Sequence, residues 1–265
     1  MRLTWCTDIH LDFLGREGVA RFVEELASEA PDAVAITGDL SVASSLAAHL
    51  KILAGVLERP IYFVLGNHDY YGSSIAEVRR GIVELCEGDR WLDWVSEGGA
   101  RELTPRAALV GHDAWADMRL GTPERVRVRM RDWAVIEELT GLDDATRAER
   151  LRALGREAAA HLRRVLPAAL ERYEQVFVLT HPPPFASACR FRGRRSPDHW
   201  LPILACGAAG DVLTRAAESR PDRRIEVLSG HTHGRADEQI RPNLRARVGA
   251  AEYRSPRVAA TIVVR

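Results

Sequence analysis

Short apolar runs alternate with amphipathic stretches along the first third of the chain, and each run stops at a polar cluster. Residues 2–7 read as a strand running into Asp8-Ile9-His10. Residues 19–30 space their apolar positions at helical intervals and stop at Pro31, which cannot continue a helix. Residues 33–37 form a buried strand ending at Gly38-Asp39, and residues 44–58 an amphipathic helix. Residues 61–65 are a further strand, ending at Gly66-Asn67-His68-Asp69, and residues 73–86 are again helical. Strand, loop and helix repeated in this order predict a mostly parallel sheet covered by helices. In such sheets functional loops collect at the carboxyl ends of the strands.

The middle of the chain breaks the rhythm. Residues 94–113 predict two or three short strands, and residues 131–173 are dominated by helix. Gly141-Leu142-Asp143-Asp144 supplies a break and an N-cap there, and Pro167 a second break or a helix start. This Arg/Glu/Ala-rich stretch reads either as a helical insertion that forms an outer helix or cap, or as a simple crossover helix. Residues 175–180 are a strand entering His181, and residues 185–200 an irregular loop rich in Arg, Gly and Pro. Residues 211–219 are helical, residues 225–229 a strand entering Gly230-His231-Thr232-His233, and short alternating strands fill residues 238–264. With no internal repeat, residues 1–265 read as one domain.

Composition narrows the partners. The 37 basic and 37 acidic side chains cancel, so tight nonspecific nucleic-acid binding, which depends on phosphate neutralisation, is not expected. Lys51 is the only lysine beside abundant Arg and Ala, the composition of a GC-rich bacterial genome. Cys6, Cys86, Cys189 and Cys206 lack the C-x-x-C spacing of thiolate metal sites or a disulfide framework. No charged leader and no membrane-length apolar run is seen, and the expected location is cytoplasmic.

The polar clusters carry the chemistry. Together they offer the carboxylates of Asp8, Asp39 and Asp69, the Asn67 amide, and the imidazoles of His10, His68, His181, His231 and His233. In extended chain, residues two apart point to the same side, so Asp8 with His10, and His231 with His233, are candidates to share a metal. Asp39 has two oxygens with which to bridge two ions. Imidazole mixed with carboxylate suits Mn, Fe, Zn, Ni or Co better than Ca or Mg.

This ordered set, D-x-H, G-D, G-N-H-D, H and G-H-x-H, resembles the calcineurin-like metallophosphoesterase superfamily over Asp8 to His233. The resemblance implies a four-layer α/β/β/α sandwich and two divalent metal ions. By the same resemblance Asp8, His10, Asp39 and His233 hold the first ion, and Asp39, Asn67, His181 and His231 the second. His68 would act on the substrate as a proton donor, with Asp69 orienting it. The implied reaction is hydrolysis of an anionic phosphate ester by a hydroxide formed between the two ions. The segment after Gly38-Asp39 is Leu40-Ser41-Val42-Ala43, not Arg-Gly, and the later motif ends in Asp69, not Glu. Both departures point away from the Ser/Thr protein phosphatases, and the G-N-H-D and G-H-T-H forms resemble those of bacterial phosphodiesterases and uncharacterised phosphoesterases. A phosphomonoesterase, a nuclease and a non-catalytic metal-binding scaffold are the alternatives.

Outside the motifs, Arg190, Arg192, Arg194 and Arg195 follow His181 and are candidates for an anion-binding rim. Trp115 and Arg119 are candidates to line the pocket opposite the metals. His112-Asp113 has no place in the family pattern and is not read as a ligand pair. Tyr70 and Tyr71 read as packing residues.

Overall fold

The computed structural model describes residues Met1–Arg265. Its first sheet has five strands in the order β13-β1-β2-β3-β4, namely β13 (Ala260–Val263), β1 (Arg2–Cys6), β2 (Ala33–Thr37), β3 (Ile61–Val64) and β4 (Leu92–Trp94). Strands β1 to β4 run parallel, and β13 closes the edge antiparallel to β1. The second sheet has six strands in the order β11-β12-β10-β7-β6-β5. These are β11 (Ala236–Arg241), β12 (Leu244–Val248), β10 (Arg224–Ser229), β7 (Gln175–Leu179), β6 (Ala107–Gly111) and β5 (Arg101–Thr104).

Side-chain alternation along each strand builds the layers. In β2, Ala33 and Ala35 face the second sheet, while Val34 and Ile36 face the helices. In β7, Phe177 and Leu179 face the first sheet, while Val176 and Val178 face the other way. The inter-sheet core joins Leu3 and Trp5 to Leu109, Phe177, Leu179 and Leu228. Helices α1 (Arg16–Ser28), α2 (Ala43–Leu57) and α3 (Ile75–Gly88) bury Phe22, Leu50 and Ile82 in the core on the far side of the first sheet. The one-turn α4 (Asp132–Val135) precedes α5 (Asp144–Arg172), and α5 and α6 (Gly207–Ser219) cover the second sheet with Leu162, Leu166 and Leu213. The result is the α/β/β/α sandwich.

Residues 131–173 divide between two tasks. Asp143 caps α5 by accepting from the Thr146 N–H at 2.8 Å. Helix α5 then runs unbroken for 29 residues with Pro167 inside it. Pro167 removes one intrahelical hydrogen bond, but Val165, Leu166, Ala169 and Leu170 are buried on either side, and their packing holds the helix through it. Residues ahead of α5 go instead to the metal-motif loops: the Gly72 N–H donates to Val135, and Glu138 accepts from Ile75 N–H at the start of α3. The Arg-rich loop contains a small hairpin, β8 (Arg190–Phe191) with β9 (Arg194–Arg195). No helix is long and apolar enough to cross a membrane.

Candidate metal centre

The motif residues leave the carboxyl ends of β1, β2, β3, β7 and β10, where both sheets open on the same side. Their backbones are forced. Asp8, His10, Asp39, His231 and His233 all have positive φ, between 41° and 68°. Non-glycine residues adopt that conformation at a cost of about 1–2 kcal/mol each, and such strain concentrates at functional sites. The adjoining glycines allow close approach: a Cβ on Gly66 would collide with the Asp39 carboxylate, and one on Gly230 with Thr7 and Asp8.

Two sets of donor atoms converge. In the first, ligand atoms of Asp8, His10, Asp39 and His233 all lie within 4.8 Å of one another. His10 Nε2 is 3.4 Å from His233 Nε2, which is 3.3 Å from Asp8 Oδ1. In the second, Asn67 Oδ1 lies 3.1 Å from His181 Nε2 and 3.0 Å from His231 Nδ1. Asp39 stands between the sets: its Oδ1 is 3.3 Å from His181 Nε2 and its Oδ2 is 3.7 Å from His10 Nε2. The alternating pair His231 and His233 is thus split, one imidazole to each set.

Hydrogen bonds fix which atoms face inward. His181 Nδ1 donates to the Thr37 carbonyl at 2.8 Å, and His231 Nε2 donates to the Ile203 carbonyl at 3.1 Å. Asn67 Nδ2 donates to Asp132 Oδ1 at 3.0 Å and to Tyr71 Oη at 3.3 Å, so its carbonyl oxygen points at the two imidazoles. With both imidazoles neutral, three lone pairs, on His181 Nε2, His231 Nδ1 and Asn67 Oδ1, therefore meet. Neutral acceptors repel in this arrangement, and a cation removes the conflict. The electrostatics agree. Burial favours neutral His181, yet the Asp39 and Asp8 carboxylates more than offset it and push the imidazole up to about 10. The two carboxylates thus favour positive charge at this point, whichever cation supplies it. Burial likewise raises the Asp39 carboxyl, but His181, His68 and His10 hold it well below the ordinary range. The donor set fits divalent transition ions.

His68 belongs to neither set. Its Nε2 is 4.0 Å from Asp39 Oδ2, its backbone N–H donates to Asp39 Oδ1 at 2.9 Å, and its ring stacks on Tyr71 at 4.2 Å between centroids. Asp69 does not reach the His68 imidazole. Its carboxylate accepts from the N–H groups of Leu40, Ser41 and Gly66 at 2.8–2.9 Å, tying the second and third motif loops together. Tyr71, which reads as a packing residue, thus takes up the contact with His68.

Asp113 is the other buried brace. It accepts from Leu65 N–H at 2.7 Å, Trp94 Nε1 at 2.8 Å, Ser96 Oγ at 2.7 Å and Tyr70 Oη at 2.7 Å, and its carbonyl accepts from His181 N–H. It therefore grips the chain on both sides of Gly66-Asn67-His68-Asp69. Asp132 is not marked by any local sequence pattern; its single usable signal is a carboxylate inside an otherwise Arg-rich segment.

The second donor set lies beside a small cavity lined by Trp115, Asp132 and Leu151, and both sets open into a cleft of about 580 Å³ lined by Phe13, Tyr71, Met130, Arg131, Tyr253 and Arg254. Trp115 is buried against Tyr70, at 5.8 Å between ring centroids. Arg119 pairs with Asp211 at 3.1 Å. Arg190 is held by Glu238 at 2.5 Å, and Arg192, Arg194 and Arg195 are exposed on the hairpin, outside the residues that line the cleft.

A strained five-strand-end site between two sheets, built from Asp, Asn and His, defines a metallohydrolase of the α/β/β/α class. The calcineurin-like phosphoesterase family model matches residues 1–235, and the chain belongs to that family of metal-dependent phosphoester hydrolases. No protein of curated function matches it significantly. Among solved structures it is similar to the phosphopantetheinyl hydrolase PptH of Mycobacterium tuberculosis, with 17% identity, TM-score 0.64, and coverage of 95% of this chain and 89% of that one. It is also similar to a dimetal phosphatase from Danio rerio, with 14% identity, TM-score 0.60, and coverage of 98% and 91%. TT1561 of Thermus thermophilus shares 14% identity at TM-score 0.56, with coverage of 94% and 88%. At these identities the likeness is one of fold.

Proposed function

We propose that the protein is a phosphodiesterase working with two divalent metal ions. The observation that carries this reading is the placement of Asp39, whose two oxygens face the two converging donor sets. Asp8, His10, Asp39 and His233 would hold one ion, and Asp39, Asn67, His181 and His231 the other. Bound there, such ions clamp the oxygens of a phosphoryl group and make a water acidic enough to attack phosphorus near neutral pH.

The chain's own residues do the rest. His68 borders the donor sets and the cleft, so its imidazole is placed to give a proton to the departing oxygen. Stacking on Tyr71 keeps the ring in that position, and the Tyr71 hydroxyl is in turn fixed by Asp132 at 2.6 Å. Asp69 and Asp113 hold the loop that presents Asn67 and His68. The cleft of about 580 Å³ extends beyond the donor sets to Phe13, Tyr253, Met130 and Arg131, and this room supports a diester.

The test is metal analysis combined with hydrolysis of a matched aryl phosphomonoester and phosphodiester. Two bound ions and a higher kcat/KM on the diester are expected. Preference for the monoester would make the protein a phosphomonoesterase on the same site. Two bound ions without turnover of either ester would sink the catalytic reading.

A further inference from the structure

The mouth of the cleft carries positive charge that nothing in the chain neutralises. Arg131 and Arg254 both line it and both are exposed. Neither guanidinium has an ion-pair partner, whereas the nearby Arg190 is held by Glu238 and Arg257 by Glu252. They come from distant parts of the chain. Arg131 lies over the Tyr71 ring at 5.7 Å, and Tyr71 in turn stacks on His68. Arg254 follows Tyr253, whose ring lies 4.6 Å from His10 and 4.9 Å from His233. Arg254 is moreover held at φ 65°, a conformation that a side chain of its kind adopts only at some cost. Phe13 and Tyr253 are 41% and 45% exposed and line the same cleft, so apolar surface accompanies the charges there.

The charge balance gives these arginines a meaning. Two divalent ions would be balanced by the carboxylates of Asp8, Asp39 and Asp132 together with the attacking hydroxide, leaving the reacting centre close to neutral. The two guanidiniums then exceed by about one charge the single negative charge of a phosphodiester. Guanidinium forks recognise carboxylate and phosphate in a bidentate way.

We infer that the substrate carries, besides the reacting phosphodiester, a second anionic group that Arg131 and Arg254 bind at the mouth of the cleft. This rests on the phosphoesterase reading of the same site. The shared chemistry is an oxyanion, a carboxylate or a further phosphate, on one ester arm.

The test compares propylphosphonate, 3-phosphonopropionate and propane-1,3-diphosphonate by calorimetry on the metal-loaded protein. The ligands share a phosphonate and differ in the second group, which separates carboxylate from phosphate. At least one of the doubly anionic ligands should bind about tenfold tighter than propylphosphonate or better, and the ratio should fall toward one in the Arg131→Ala, Arg254→Ala double variant. It should also shrink with ionic strength. Equal binding of all three ligands to the unaltered protein, no binding of any, or a preference that survives in the double variant overturns the inference. Turnover of aryl phosphodiesters with a neutral or a carboxylate-bearing arm is measured alongside. Ligand discrimination without any turnover would count against the hydrolase reading and leave this inference standing.

Discussion

Asp132 offers the sharpest test of how the second donor set is organised. One oxygen of its buried carboxylate accepts from both Asn67 Nδ2, at 3.0 Å, and the Tyr71 hydroxyl, at 2.6 Å. Asp132→Leu keeps the volume and deletes the acceptor. Hydrogen bonds to a charged group contribute about 1.5–3 kcal/mol each. Sharing one oxygen makes the two bonds non-additive, so a loss of about 2–4 kcal/mol is expected, divided between fold stability and metal affinity. The Asn67 amide would no longer be locked with its oxygen toward His181 and His231. Partners behind a ligand typically govern affinity by about 10–100-fold. The removed negative charge acts in the same direction. No hydrogen bond or ion pair joins Asp132 to Asp8, His10 or His233, so the loss should fall on one ion of the two. Metal content after dialysis against a graded series of chelator buffers reads this directly, with urea unfolding of the metal-free protein reporting the stability share. The expected result is a drop from two ions to one at chelator strengths that leave the unaltered protein full. Retention of both ions with unchanged affinity would refute the reasoning, and simultaneous loss of both would show that the sets are not separable.

Three further outcomes are expected. Asp39→Asn should weaken both ions and remove most turnover, and a variant that kept two tightly bound ions and its rate would remove Asp39 from the bridging role. His68→Ala should keep its metals and lose rate by about 10²–10⁴, less for esters with good leaving groups; a matching fall in metal content would make His68 a ligand. Burial depresses the His112 imidazole to about 3, and its Nδ1 accepts from Ala114 N–H at 3.0 Å, which requires the neutral ring. The unfolded chain therefore takes up a proton near pH 6.5 that the folded chain refuses until about pH 3, so this group's contribution is fully present above the higher value and is lost as pH falls between the two. His112→Asn keeps an acceptor and removes the titration, so its urea stability should fall less from pH 7 to pH 5 by about 1–2 kcal/mol; parallel losses in the two proteins would contradict the assignment.

What can be read in advance and what cannot divide along physical lines. Asp8, Asp39, Asn67, His181 and His231 announce themselves because each follows an apolar run that the fold turns into a strand ending at the same edge. The layer order follows from alternation in strands such as β2, whose two faces go to different cores. Asp132 gives no such signal, because its partner Asn67 is 65 residues away, and Asp113, although it follows the apolar run of β6, has no local pattern that encodes its meeting with Leu65, 48 residues away. Asp69 reads as the support of its neighbour His68 and instead bonds to backbone 28 and 29 residues earlier. Pro167 reads locally as a break, yet the burial of its neighbours overrides it. Arg254 and Tyr253 lie beyond the last motif and reach the site only through the return of the chain to β13.

That return has a consequence for how the protein matures. Strand β13 pairs with β1, joining Val263 to Arg2, so the first sheet gains its outer edge only when residues 260–263 are in place. The donor sets likewise wait for His231 and His233 from the second sheet. During synthesis, a ribosome-bound chain that has already formed β1, β2 and β3 holds Asp8, His10, Asp39 and Asn67 but has none of the three later imidazoles. Such a partial set would bind ions weakly and exchange them freely. On the two-metal reading proposed above, metal acquisition is expected to come late, in chains that have docked both sheets, and a truncated or stalled product is expected to emerge from the ribosome without metal.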